Sequence, residues 1–177
     1  ISKKKKLDFI QIREPGGSKN SEKIRKLLLN KNSSFNKYTD LLLYLSARSE
    51  NIELIKKNVG KRIILIDRFS DSTIAYQHFG MGVNLKFINN INNFLLKNIN
   101  INFTFLNIVS LKNMKNRLMK RKNLNRYDKF DNNFYTKVQK GFINLLKKNP
   151  KKYMKINSNL SIKHNEKIIL NKIRDLV

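Results

Sequence analysis

Four consecutive residues, Ile63-Ile64-Leu65-Ile66, constrain this chain more than any other stretch. An unbroken apolar, largely β-branched run of that length predicts a strand buried on both faces, as in a parallel sheet. The run stops at Asp67-Arg68, and Asp71, Ser72 and Thr73 then offer N-cap chemistry for a following helix. A carboxylate and an arginine thus stand where a buried strand ends and a helix begins, the place where open α/β sheets bind ligands. A helix N-terminus favours anions, and an arginine can grip a phosphate through two parallel N–H bonds. Taken alone, the stretch fits an ordinary strand, loop and helix with one surface ion pair about as well.

The remaining chain repeats the alternation. Phe9-Ile10-Gln11-Ile12 predicts a short strand ending at Arg13-Glu14-Pro15-Gly16-Gly17. Pro15 disfavours helix at Glu14, and the two glycines permit a tight backbone approach. Helices are predicted over residues 22–30, 38–57, 85–95, 111–122, 134–146 and 162–176, with further strands over 103–106 and 153–156. Within 38–57, Leu41, Leu45, Ile52 and Ile55 share a face, and Tyr44 and Arg48 lie one turn apart on an adjacent stripe. Strands alternating with helices argue for an α/β fold built on a parallel sheet. No internal repeat or flexible linker interrupts the pattern, so residues 1–177 are expected to form a single domain.

Lysine and arginine total 38 against 12 acidic residues, a formal charge of +26. Such a surface binds nucleic acid non-specifically at low salt. The lysines are spread through every segment, which reads as compositional bias rather than one binding stripe. Cysteine is absent, which excludes disulfides and thiolate metal sites. His78 and His164 have no metal-ligand partners at useful spacing. No run of about 18 apolar residues suggests a membrane span.

Five stretches in order carry a resemblance: Arg13-Glu14-Pro15-Gly16-Gly17; Glu22 to Leu28; Tyr44-Leu45-Ser46-Ala47-Arg48; Asp67 to Gln77; and Asn125-Arg126-Tyr127-Asp128. Together they resemble the bacterial-type thymidylate kinase family, which makes dTDP from dTMP and ATP. The resemblance runs over nearly the whole chain. It implies a P-loop NTPase-like fold of the nucleoside monophosphate kinase type, a three-layer α/β structure with a parallel sheet flanked by helices. It also implies dTMP, ATP and Mg²⁺ as ligands, a homodimer, and a cytoplasmic location.

The same resemblance assigns roles. Tyr44 would stack on the thymine ring, Arg48 would hydrogen-bond a base carbonyl, and Thr73 and Gln77 would read the base edge. Tyr76 would pack under the deoxyribose. Arg68 and Arg25 would hold the acceptor phosphate, with Glu14 in the acceptor-side loop. Asp67 would orient Mg²⁺ through its waters. Residues 122–131 would form a lid, and Arg117, Arg121 and Arg126, in or beside it, would neutralise charge on the transferring phosphoryl group.

One element of the family pattern is absent from these 177 residues: the phosphate-binding loop G-x-x-x-x-G-K-[ST]. In the family it follows a first strand and precedes the REPGG stretch. Residues 1–6 resemble the tail of the helix after it. The chain therefore reads as a kinase lacking its first strand and phosphate loop, with weak activity and marginal stability expected. The competing expectation is a non-catalytic nucleotide- or nucleic-acid-binding protein derived from such a kinase.

Overall fold

The computed structural model describes residues 8–176; the lead-in of residues 1–6 lies outside them. The chain divides into two compact units, one ending at Asn100 and the other starting at Ile101.

In the first unit, β1 (Phe9–Arg13) pairs in parallel with β2 (Ile63–Asp67), Phe9 opposite Ile63 and Arg13 opposite Asp67. The Glu14 N–H donates to the Asp67 carbonyl at 2.9 Å, extending the ladder one residue beyond the strands. Parallel strands require a long crossover. Here it is α1 (Lys19–Leu29) and α2 (Lys37–Asn58). Each has a polar N-cap: Ser18 accepts from the Ser21 N–H, and Asn36 from those of Tyr38 and Thr39.

Ile12 from β1 packs with Ile52 and Ile55 of α2, and Ile10, Ile64 and Ile66 join the same cluster. The other sheet face is more open, with Leu65 41% exposed and Phe9 exposed. The expectation that residues 63–66 are buried on both faces is corrected accordingly. The side-chain alternation of a strand sends Ile64 and Ile66 into the helix-covered core and Leu65 away from it. A second core gathers Leu41 and Leu45 of α2 with Val83 and with Ile88 of α4 (Leu85–Leu95).

The segment after β2 also differs from expectation. A short α3 (Ser70–Thr73) begins at once, its N-cap is Phe69, and no side chain caps it. Asp71, Ser72 and Thr73 therefore lie inside the helix rather than at its cap. The Thr73 hydroxyl serves another partner, described below. The helix then widens into a π-helix, Ile74–Gly80, a form that recurs at functional sites.

The loop between β1 and α1 is tightly held. Ser21 Oγ accepts from the Gly16 N–H at 2.9 Å and donates to the Gly16 carbonyl at 3.0 Å. Asn51 Nδ2 donates to that carbonyl at 2.7 Å, and Glu22 accepts from the Gly17 N–H at 3.0 Å. Gly17 has φ +108°, and a Cβ there would lie 2.9 Å from Ile12 Cγ2. Gly17→Ala should thus lower stability by about 2 kcal/mol through backbone strain and overpacking. The midpoint of urea unfolding is the check; an unchanged midpoint would refute it.

In the second unit, β3 (Thr104–Ile108) pairs in parallel with β4 (Tyr153–Asn157). α5 (Leu111–Met119) and α6 (Asn132–Lys148) connect them, and α7 (Ile162–Leu176) closes the chain. α5 stops three residues before its predicted end, and a polar stretch follows. Within that stretch Arg126–Lys129 form a single 3₁₀ turn with a capping box between Asn125 and Asp128. Among the described residues no helix is long and apolar enough to cross a membrane.

Candidate functional site

The first unit places eight of the sequence-predicted residues on neighbouring elements: Glu14, Arg25, Tyr44, Arg48, Arg68, Thr73, Tyr76 and Gln77. Arg48 is their hub. Its side chain is 1% exposed, and its partner Glu14 is 3% exposed. Arg48 Nε and Nη2 donate to Glu14 Oε2 at 2.9 and 2.7 Å, Nη2 also to Thr73 Oγ1 at 2.9 Å, and Nη1 to Asn92 Oδ1 at 2.7 Å. The guanidinium lies 5.2 Å from the Phe69 ring centroid. One buried cation thus ties α2 to the β1 loop, α3 and α4.

Glu14 pays for this position. Burial pushes its carboxyl above the ordinary range, and the attraction of Arg48, then that of Arg68, pulls it back only partly. Oε2 takes both Arg48 bonds, whereas Oε1 has no hydrogen-bond partner among the described residues.

A second polar pair lies two helical turns before Arg48. Asp40, fully buried, accepts from Gln77 Nε2 at 2.8 Å. Asp40, Tyr44 and Arg48 are spaced by four residues and form one stripe of α2. Thr73 meets the Arg48 end of this stripe and Gln77 the Asp40 end, with the buried Tyr44 between them in sequence. Thr73 and Gln77, four residues apart, thus each meet a polar residue of this row on α2.

At the end of β2, Asp67 and Arg68 are both exposed. Arg68 has φ +65°, rare for a residue with a bulky side chain. Its guanidinium lies over the Tyr76 ring, 4.4 Å from the centroid. Arg25 Nη1 donates to the Pro15 carbonyl at 2.6 Å. Burial, then the charge of Arg13 and more weakly that of Arg68, holds Arg25 below the usual guanidinium range, with Glu22 and Tyr44 acting in the opposite sense. Arginines near enough to disfavour each other's charge make a place that an anion would relieve.

The second unit holds the other predicted cations. Arg117 Nη2 donates to the Ser158 carbonyl at 2.5 Å. Arg121 Nη1 reaches both carboxylate oxygens of Asp128, at 2.7 and 2.9 Å. The Arg126 guanidinium sits 4.9 Å from the Tyr127 ring centroid. The partner of Asp128 in an ion pair is thus Arg121. His78 Nδ1 lies 2.8 Å from the Val83 carbonyl.

Sequence reasoning missed Asp40 and Asn92. Asp40 was open to detection, because it precedes Tyr44 by the same four residues that separate Tyr44 from Arg48. Asn92 carries no such signal: it is one asparagine among many, and only packing brings it to Arg48.

Comparison with known proteins adds an independent line. A family model described as thymidylate kinase matches residues 2–169. The chain is 37% identical over 172 residues to a thymidylate kinase of Mycoplasma capricolum, covering 92% of this chain and 81% of that protein. It is 36% identical over 174 residues to one from Acholeplasma laidlawii, covering 96% and 85%. A crystal structure of thymidylate kinase from Ehrlichia chaffeensis superposes with a TM-score of 0.74 at 27% identity, covering 94% of this chain and 80% of that one.

Proposed function

The chain belongs to the thymidylate kinase family of phosphotransferases, with the P-loop NTPase fold, and from that premise we propose that its arginine-rich site takes dTMP for phosphorylation to dTDP by ATP. The observation that carries this reading is the facing of two rows, Asp40-Tyr44-Arg48 on α2 and Thr73-Gln77 on the following helix, beside an Arg68 stacked on Tyr76. In it Tyr44 is the platform for the pyrimidine, while Arg48, Thr73 and Gln77 supply polar atoms for its edge. Tyr76 lies under the sugar, and Arg68 and Arg25 hold the 5′-phosphate. A ring platform directly beneath a phosphate-holding guanidinium matches the adjacency of sugar and phosphate in a nucleotide.

On this reading residues 1–177 are a single thymidylate kinase-like domain with residues 122–131 as its lid, and Arg126, with Arg117 and Arg121 beside it, offsets charge on the transferring group. Among the described residues no group of three or more His, Cys, Asp or Glu could hold a metal ion. The exposed carboxylate of Asp67 would hold a Mg²⁺ through its waters. There the ion would neutralise charge shared by the donor's phosphates. No G-x-x-x-x-G-K-[ST] loop lies within the 177 residues, so these residues carry the acceptor side of the reaction more fully than the donor side. Slow turnover by the chain alone is part of the proposal. So is a homodimer, in which exposed Leu42 on α2 and Phe87 and Phe94 on α4 offer apolar surface to cover.

The test uses thermal unfolding and ADP release on the chain, with dTMP, dCMP and unrelated duplex DNA as additives. dTMP at about 100 times its Kd should stabilise the fold by about 2.7 kcal/mol, and ADP release should depend on dTMP. If dTMP neither stabilises the chain nor supports turnover, while DNA binds with steep salt dependence, the charge of +26 is the operative feature and the chain is a nucleic-acid-binding derivative.

A further inference from the structure

We propose that Asp40 is a specificity-determining residue: by accepting a hydrogen bond from Gln77 it fixes which end of that amide is left to meet a base, and so selects a pyrimidine-dione over an aminopyrimidine. The inference rests on the dTMP reading above and deepens it.

An amide side chain has a donor end and an acceptor end of nearly the same shape, so its pattern can be inverted by a half-turn. At Gln77 the half-turn is blocked. Asp40 is fully buried and lies in the first turn of α2. An ionised carboxylate only accepts, and its 2.8 Å contact is with Nε2. Turning the amide over would set Oε1 against that carboxylate, two acceptors with no proton between them. The bond to Asp40 uses Nε2, so the acceptor end of the amide is the one turned toward a ligand.

The neighbouring position is fixed with opposite sense. Arg48 can only donate, so at 2.9 Å the Thr73 hydroxyl oxygen must accept. Its proton is then directed elsewhere. Glu14 and Asn92 hold the guanidinium that enforces this. The two helix positions together offer a donor from Thr73 and an acceptor from Gln77. That order complements a ring carbonyl beside a ring N–H, the O4 and N3–H edge of thymine or uracil. Cytosine presents the reverse, an amino group beside an unprotonated nitrogen, and would leave two polar contacts mismatched.

The experiment is titration calorimetry of the wild-type chain and Asp40→Asn with dTMP, dUMP, dCMP and N3-methyl-dTMP. Wild type should bind dTMP and dUMP, and bind dCMP and N3-methyl-dTMP weaker by on the order of a hundredfold. In Asp40→Asn the new amide can donate to Gln77 Oε1, so the half-turn becomes open and the dTMP-to-dCMP preference should fall at least tenfold. An unchanged preference in a folded Asp40→Asn variant overturns the proposal. Should that variant not fold, the wild-type series decides: N3-methyl-dTMP binding as tightly as dTMP overturns it, and rejection of that ligand supports it. Failure of folded wild type to bind dTMP at all is a different result, and it overturns the functional reading itself.

Discussion

Arg48→Ala should be the most damaging single substitution in the first unit, lowering stability by about 3–5 kcal/mol. The physical reason is the carboxylate left behind. Glu14 is buried, and Arg48 supplies both hydrogen bonds to its Oε2 and the nearest positive charge. Without the guanidinium, Glu14 must be buried as an uncompensated anion or take up a proton, and Thr73 and Asn92 lose a partner as well. Arg48→Lys should recover only part of the loss, because one ammonium cannot reach three acceptors in the fixed geometry of a planar fork. A double variant, Arg48→Met with Glu14→Leu, should lie closer to wild type in stability than Arg48→Ala does, since removing both members of a buried pair leaves no orphaned charge. Urea denaturation of the four proteins is the measurement. Equal stability of Arg48→Ala and wild type would show that the pair is not what holds these elements together.

Arg68→Gly should do the opposite, sparing the fold and abolishing the function. Arg68 is exposed and has φ +65°, a region that glycine enters freely. The substitution relieves strain and leaves buried Glu14 its Arg48 partner, losing only the weaker attraction of Arg68, so the urea midpoint should stay close to level. On the proposed role, kcat/KM for dTMP should nevertheless fall about a thousandfold, near 4 kcal/mol of lost transition-state stabilisation. Arg68→Lys should fall by nearly as much, for it keeps the charge but loses both the bidentate geometry and the stacking on Tyr76. A folded Arg68→Gly protein with undiminished turnover or dTMP binding would remove Arg68 from the phosphate site.

The contrast between these two arginines marks what could be read from the residues alone. Strands and helices were legible because their apolar periodicity reports the core directly, and their ends moved by only a few residues. Arg68 and Tyr76 were legible as candidates only, because they sit in a short contiguous motif. The Arg48 network was not, because its partners lie 25 to 44 residues away in sequence. α2 compounds the difficulty. One stripe, Leu41, Leu45, Ile52 and Ile55, faces the apolar cores, while Asp40, Arg48 and Asn51 are buried on another side. Apolar periodicity sees the first stripe and assigns the second to solvent. Leu65 fails in the reverse direction, since an unbroken apolar run gives no hint that one sheet face stays open.

The single-oxygen grip of Arg48 on Glu14 also bears on inheritance. Neither position can drift by itself, because a change at one strands a charge at the other, so lineages that alter the REPGG glutamate should alter the α2 arginine in step. A variant library selected for growth, rather than for any particular substrate, would record that linkage as paired replacements at positions 14 and 48.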